Sequence, residues 1–333
     1  MSDETMRAHR IPRPDLASQF VRATMFLVAL CLPSQTIILA TTPQDDKGLL
    51  PPVDADRSPR VGAIRKSITS GDLMDAQKLT DELIRHEPSN FEGYFWRGFL
   101  ELQRENGYDA VRFFRRAEVL NSNVWVLKSL AVSYYTVRQF KLFTLKMNEA
   151  MQKQPEDYAP YYYLGRYYVS EQIGDFDKAA EYFRKAIKRK ADHYQSYYYL
   201  GYCFEAGRNV EDGERCYQQS RKISQAMGIK FSLAYEGMAR LKLLQNKPAE
   251  ALEYAKHSVE LSPNEASTHR VLAKAYEASG RSADAIPEWE LTAKLDPTDA
   301  SPYYHLYRIY LASGREDKAK LAYAEFKKLS ATY

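Results

Sequence analysis

The sequence predicts an all-α protein built as a row of stacked helix pairs. Three observations carry that reading. After residue 56 a pattern of small and large apolar residues returns about every 34 positions. The string Tyr-Tyr-Tyr-Leu-Gly occurs twice, at 161–165 and at 197–201. Most periods hold a glycine near the middle and several hold a proline near the end, where short helices need a turn and a stop.

Before the array comes a different kind of segment. No residue from Ala23 to Gln44 is charged, and Arg7, Arg10, Arg13 and Arg22 precede that run. A basic start followed by an apolar stretch fits an export signal. The stretch also fits a membrane anchor, for which roughly 20 residues suffice. Arginines ahead of it would then hold the N-terminus in the cytoplasm and place the rest outside. Burial as one helix of a cytoplasmic protein is the third reading. Ile38 is not the small residue that a cleavage site before Thr41 prefers. Residues 1–22 are therefore read as a basic N-terminal region and 23–40 as a signal peptide or signal anchor. Residues 41–56, rich in Pro and Asp, are read as a flexible linker.

Eight units follow, at 57–90, 91–123, 124–157, 158–193, 194–227, 232–265, 266–299 and 300–333. The clearest, 266–299, carries Leu272, Ala273, Tyr276, Gly280, Ala285, Trp289 and Pro297. The last carries Leu306, Tyr310, Gly314, Ala319 and Tyr323 at the same offsets. The unit at 158–193 has Tyr161, Leu164, Gly165, Tyr168, Gly174, Ala179, Phe183 and Ala186. On these residues the chain resembles tetratricopeptide-repeat proteins. The resemblance spans nearly everything after the linker. It departs at Arg97, Glu101 and Gly213, at two extra residues before Gly174, and at the inserted residues 228–231. It implies a right-handed α-solenoid of antiparallel helix pairs, with the first helix of each pair lining the inner face. Helices of about 13 residues are marginal alone and persist by burying a stripe against neighbours. Small residues at the eighth and twentieth positions (Gly165 with Ala179, Ala273 with Ala285) let paired helices approach. Large residues at the fourth, eleventh and twenty-fourth fill the space beside them. In that register Tyr161 and Tyr197 are packing residues, while Tyr162 and Tyr198 face the groove.

The resemblance also names the ligand-facing columns of the first helix. The ninth column reads Arg65, Phe99, Val132, Arg166, Tyr202, Arg240, Lys274 and Arg308; the fifth reads Val61, Phe95, Lys128, Tyr162, Tyr198, Glu236, Arg270 and Tyr304. The inner wall is thus expected to begin apolar, turn tyrosine-rich and end basic. The candidate groove is Tyr162, Arg166, Tyr198, Tyr202, Arg240, Arg270, Lys274, Tyr304 and Arg308. Tyrosine and arginine are favoured interface anchors, and guanidiniums pair with carboxylates, so the expected partner is a protein or peptide with acidic groups. The competing reading is a solvated face, with Glu236–Arg240 and Lys274–Glu277 as ordinary intrahelical pairs. No unit combines Lys at the fifth with Asn at the ninth position, the pair used by the chaperone-binding subset of the family.

Other functions find little in the sequence. A net charge of +4 is too mild to argue for nucleic acid. His86-Glu87 begins like a metalloprotease motif, but Asn90 stands where the second histidine belongs. Phosphate loops, GxGxxG and GxSxG are missing, so neither an enzyme nor a cofactor nor a metal is expected. Cys203 and Cys216 are expected at similar heights on paired helices, but neither position points squarely at the other helix, which favours free thiols over a disulfide. Leu321 and Leu329 are expected on the uncovered side of the last unit, where lysines give a polar face and end-to-end self-association is the alternative. The expected function is a protein-interaction scaffold outside the cytoplasm. A non-enzymatic regulator of a cell-envelope or polysaccharide-synthesis enzyme is the alternative.

Overall fold

A computed structural model describes Leu49 and residues 58–331 apart from 171–172. The signal or anchor segment lies outside the described residues. Among those described, no helix is long and apolar enough to cross a membrane. Of the expected linker only Leu49 is described, and its side chain is fully buried in the core cluster that contains Val61 and Ile64. At that residue the stretch is anchored to the array.

Sixteen helices among the described residues pair into eight hairpins. They are α1 Pro59–Thr69 with α2 Leu73–His86, α3 Phe91–Gln103 with α4 Gly107–Leu120, α5 Val124–Thr136 with α6 Phe140–Lys153, and α7 Tyr158–Val169 with α8 Phe176–Arg189. There follow α9 Tyr194–Ala206 with α10 Val210–Ala226, α11 Ser232–Leu244 with α12 Pro248–Leu261, α13 Ala266–Ala278 with α14 Ser282–Leu295, and α15 Ser301–Ala312 with α16 Glu316–Ser330. Each second helix packs on its own first helix and on the first helix of the next unit. First helices of successive units also touch, as α11 does α13 and α9 does α11, which puts them on the inner side of the stack.

Local chemistry explains the boundaries. Asp72, Asn90, Asn123, Asp157, Asp175 and Asn209 cap helix starts by accepting a backbone N–H. Four second helices end two residues before Pro88, Pro155, Pro263 or Pro297, because proline disfavours helical backbone in the residue ahead of it. The glycine-turn expectation holds at Gly71, Gly174, Gly280 and Gly314, all with positive φ. It fails in the other four hairpins, where Glu105, Arg138, Arg208 and Asn246 take the left-handed conformation at φ 56–62°. In the fifth unit the strained residue is therefore Arg208 and not Gly207.

The eighth-position glycines do what close approach requires. A Cβ on Gly165 would meet the Phe183 ring at 2.7 Å, and one on Gly201 would meet the Tyr217 ring at 2.9 Å. At the end of the array Leu321 is exposed and Leu329 half-buried.

Candidate partner-binding surface

The fifth column of the first helices does not face an open groove. Tyr162 and Tyr198 are buried, whereas Tyr161 and Tyr197 are half-buried. The reason is the angle at which units stack. The next unit lies over the fifth position: Tyr162 packs edge-on to His193 at 4.8 Å and against Tyr199 at 6.0 Å. Tyr198 meets Tyr217 and Phe231 at 5.7 and 5.6 Å. Tyr161 sits at the rim instead, with the Arg189 guanidinium 3.8 Å from its ring centre. The expected roles of fourth and fifth positions are thus exchanged in these two units.

The basic residues are drawn into the same seams. Arg166 lies over both Tyr162 and Tyr199, at 5.7 and 5.4 Å, and is buried with Tyr202. Arg240 does not rely on Glu236 one turn earlier. It donates from Nε and Nη2 to the two carboxylate oxygens of Glu205 in the preceding unit, at 2.7 and 3.0 Å. The Tyr217 hydroxyl donates to the same carboxylate at 2.5 Å. Burial opposes the Arg240 charge, but the Glu205 carboxylate more than offsets it and holds the guanidinium well above its ordinary pKa. Glu236 is buried, and desolvation raises its carboxyl pKa. Arg270, with 2% of its surface exposed, stands 2.8 Å from Asp299 and 3.8 Å from Asp296. Lys128, likewise at a fifth position, meets Asp157 at 2.6 Å; burial lowers its pKa and Asp157 works against that shift.

Three candidates remain within reach of solvent near the end of the array. Lys274 is half-buried, and Tyr304 and Arg308 are exposed. Glu277 has partners beyond its own helix. It accepts from Trp289 Nε1 at 2.6 Å and pairs with His305 Nδ1 at 2.8 Å, holding its pKa below the ordinary value despite burial. His269 directs Nδ1 at Glu288 (2.6 Å) and Nε2 at the Pro263 carbonyl (2.9 Å). The hydrogen bond to Glu288 raises the pKa of the ring against its partial burial, with the Pro263 carbonyl adding to the shift. The His305–Glu277 pair ties the last two units together, whereas His269–Glu288 joins the two helices of one unit.

Among the described residues no group of three His, Cys, Asp or Glu side chains is placed to hold a metal ion. Cys203 and Cys216 are free thiols, and burial pushes them up to about 12 and about 11. An open cleft of about 460 Å³ lies away from the candidate groove, lined by Asn148, Met151, Gln152, Tyr161, Tyr182 and Lys185.

The stack of helix hairpins agrees with the fold of known proteins. The tetratricopeptide-repeat family profile matches residues 169–225 and 237–304. Those two matched stretches are tetratricopeptide repeats. The array is similar to a chain in the crystal structure of the APC/C hetero-tetramer Cut9–Hcn1, at 14% identity and a TM-score of 0.65 over 77% of this chain. It spans half the length of that chain. It is also similar to a tetratricopeptide repeat protein from Parabacteroides merdae, at 16% identity and a TM-score of 0.56, covering 79% of this chain and 97% of that one. The C-terminal part of a TPR repeat-containing protein from Cytophaga hutchinsonii shares 15% identity with a TM-score of 0.51, covering 74% and 99%. No curated protein matches the sequence. At these identities the likeness concerns the fold, and the contacts within each seam are this chain's own.

Proposed function

We propose that the chain is a non-enzymatic protein-interaction scaffold that holds an acidic segment of a partner on the inner wall of its last two units. The tetratricopeptide-repeat fold supports the scaffold, since repeat arrays of this kind present extended surfaces for other proteins. The observation that carries the placement is the fate of the nine candidate residues. Five are buried between units and Arg240 is held by Glu205, whereas Arg308 is exposed and Lys274 half-buried, both at the ninth position, and Tyr304 is exposed at the end of the array. Two ninth-position cations of the inner wall fit carboxylates on the partner. The uncharged run at 23–44 behind four arginines supports a location outside the cytoplasm. A regulator of an envelope enzyme would use the same surface, and the identity of the captured partner separates the two readings.

A photo-crosslinking residue at position 274 of the full chain, in the cells that make it, tests the placement. The expected product is one partner crosslinked through an acidic segment, and Arg308→Glu should abolish it. Equal capture with and without that substitution would overturn the placement. N-terminal sequencing of the mature protein tests export.

A further inference from the structure

The eight units supply their own control for what a filled seam looks like. In the first seven, the twenty-fourth residue is fully buried in every case, from Thr80 through Phe114 and Phe183 to Trp289. The fifth residue of those units, from Val61 to Arg270, is 7% exposed at most. The counterparts in the eighth unit are Tyr323, 39% exposed, and Tyr304, 42% exposed. The twenty-seventh residue is Ala, Ser or Thr in units two to seven and is Phe326 in the last. Tyr304, Tyr323 and Phe326 make one platform, with Phe326 5.3 Å from Tyr304 and 6.2 Å from Tyr323. Arg308 stands 5.9 Å from the Tyr304 ring and Lys327 5.0 Å from the Tyr323 ring.

Filled seams show what such a face accepts. A flat side chain from the next first helix stacks on the twenty-fourth residue: Tyr199 on Phe183 at 5.4 Å, and His305 on Trp289 at 4.1 Å. An aspartate at the start of that helix pairs with the cation beneath it, Asp157 with Lys128 and Asp299 with Arg270. Asp299 and His305 are six residues apart. The eighth unit repeats the aromatic floor, puts Tyr304 where Lys128 and Arg270 stand in those seams, and supplies Arg308 and Lys327 as cations at the edge. Its residues 300–331 hold six Lys or Arg against three Asp or Glu. A second copy offering the same face would bring like charges together.

We propose that the end face of Tyr304, Arg308, Tyr323, Phe326 and Lys327 docks an amphipathic helix of another polypeptide, acidic in its first turn and carrying an aromatic or histidine side chain about six residues later. The site shares Tyr304 and Arg308 with the inner-wall reading but does not rest on it, because Tyr323, Phe326 and Lys327 belong to the second helix of the unit.

The test uses a fluorescein-labelled synthetic peptide copying residues 296–312, the segment that fills the preceding seam, titrated with the full chain and followed by anisotropy. Saturable one-to-one binding is expected. Tyr323→Ala should weaken it roughly tenfold or more, and a peptide with lysine at both aspartates should not bind. Lys274→Glu in the chain should leave it unchanged, which separates this site from the inner wall. Arg308→Glu serves as a second variant, with an unchanged thermal melt showing that the array is intact. No saturable binding, or binding indifferent to Tyr323→Ala, overturns the proposal. So does a dimeric mass by light scattering that Tyr323→Ala makes monomeric, since the face would then belong to a second copy.

Discussion

Gly237 and Gly62 sit inside first helices, yet alanine should act on them with opposite sign. At both, alanine removes the entropic cost of glycine in a helix, a gain of roughly 0.5–1 kcal/mol. At Gly62 a Cβ meets nothing within 4 Å, so that gain stands alone. At Gly237 it would lie 2.5–2.7 Å from three ring carbons of Tyr217. That ring has nowhere to go. It is fully buried, and its hydroxyl donates to Glu205 at 2.5 Å while accepting from Arg240 at 3.3 Å. Overpacking of this kind costs about 1–3 kcal/mol, and a pinned ring places it toward the upper end. Gly237→Ala should therefore lose about 1–2 kcal/mol net and Gly62→Ala should gain about 0.5–1 kcal/mol. Urea unfolding followed by far-UV circular dichroism reads both. A Gly237→Ala protein as stable as wild type, or two shifts in the same direction, would refute the seam geometry at Tyr217.

Three further outcomes are expected. His269 has its pKa raised mainly by its hydrogen bond to Glu288, so its stabilisation is complete below about 6.5, the unfolded value, and fades as pH rises through the folded one. His193 is held down to about 3 by burial, so its contribution runs the other way and is lost as pH falls from about 6.5 toward 3. Melting temperatures from pH 4 to 8.5 should form a dome whose alkaline limb His269→Gln flattens; an unchanged limb would count against the pair. Arg138→Gly should stabilise by about 0.5–1 kcal/mol by relieving φ 60°, and Asn246→Gly by less because asparagine tolerates that region; chemical denaturation compares them. Asp299→Ala leaves Arg270 buried with its closest partner gone and should cost about 3–5 kcal/mol, with much of the loss recovered by adding Arg270→Met; no recovery in the double variant would mean that Arg270 has another role.

The repeat was legible because close approach leaves a plain mark. Gly165, Gly201 and Ala273 stand where a larger side chain would strike the paired helix, and the prolines stand two residues past a helix end. The groove was less legible. Whether the fifth residue of a first helix faces solvent depends on the angle of the next unit, and no single unit encodes that angle. Tyr162 and Tyr198 were assigned to the groove for this reason and proved to be seam residues. Signals were present at the ends of the same units: Asp157 and Asp299, just ahead of the next helix, pair with Lys128 and Arg270, and the apolar Val61 and Phe95 head the same column. The partner of Arg240 lay 35 residues back at Glu205, beyond the helical spacing that pointed to Glu236. The glycine-turn expectation missed the four hairpins in which a residue other than glycine carries positive φ, because Arg138 and Arg208 announce no such backbone.

The central claim is that cations of the middle inner wall join units and do not wait for a ligand. A double-mutant cycle on Arg240 and Glu205, read as unfolding free energy of the isolated chain, tests it most directly. A half-buried bidentate pair across a seam should show a coupling of about 1.5–3 kcal/mol. Additivity within about 0.3 kcal/mol would contradict it and return Arg240 to the groove.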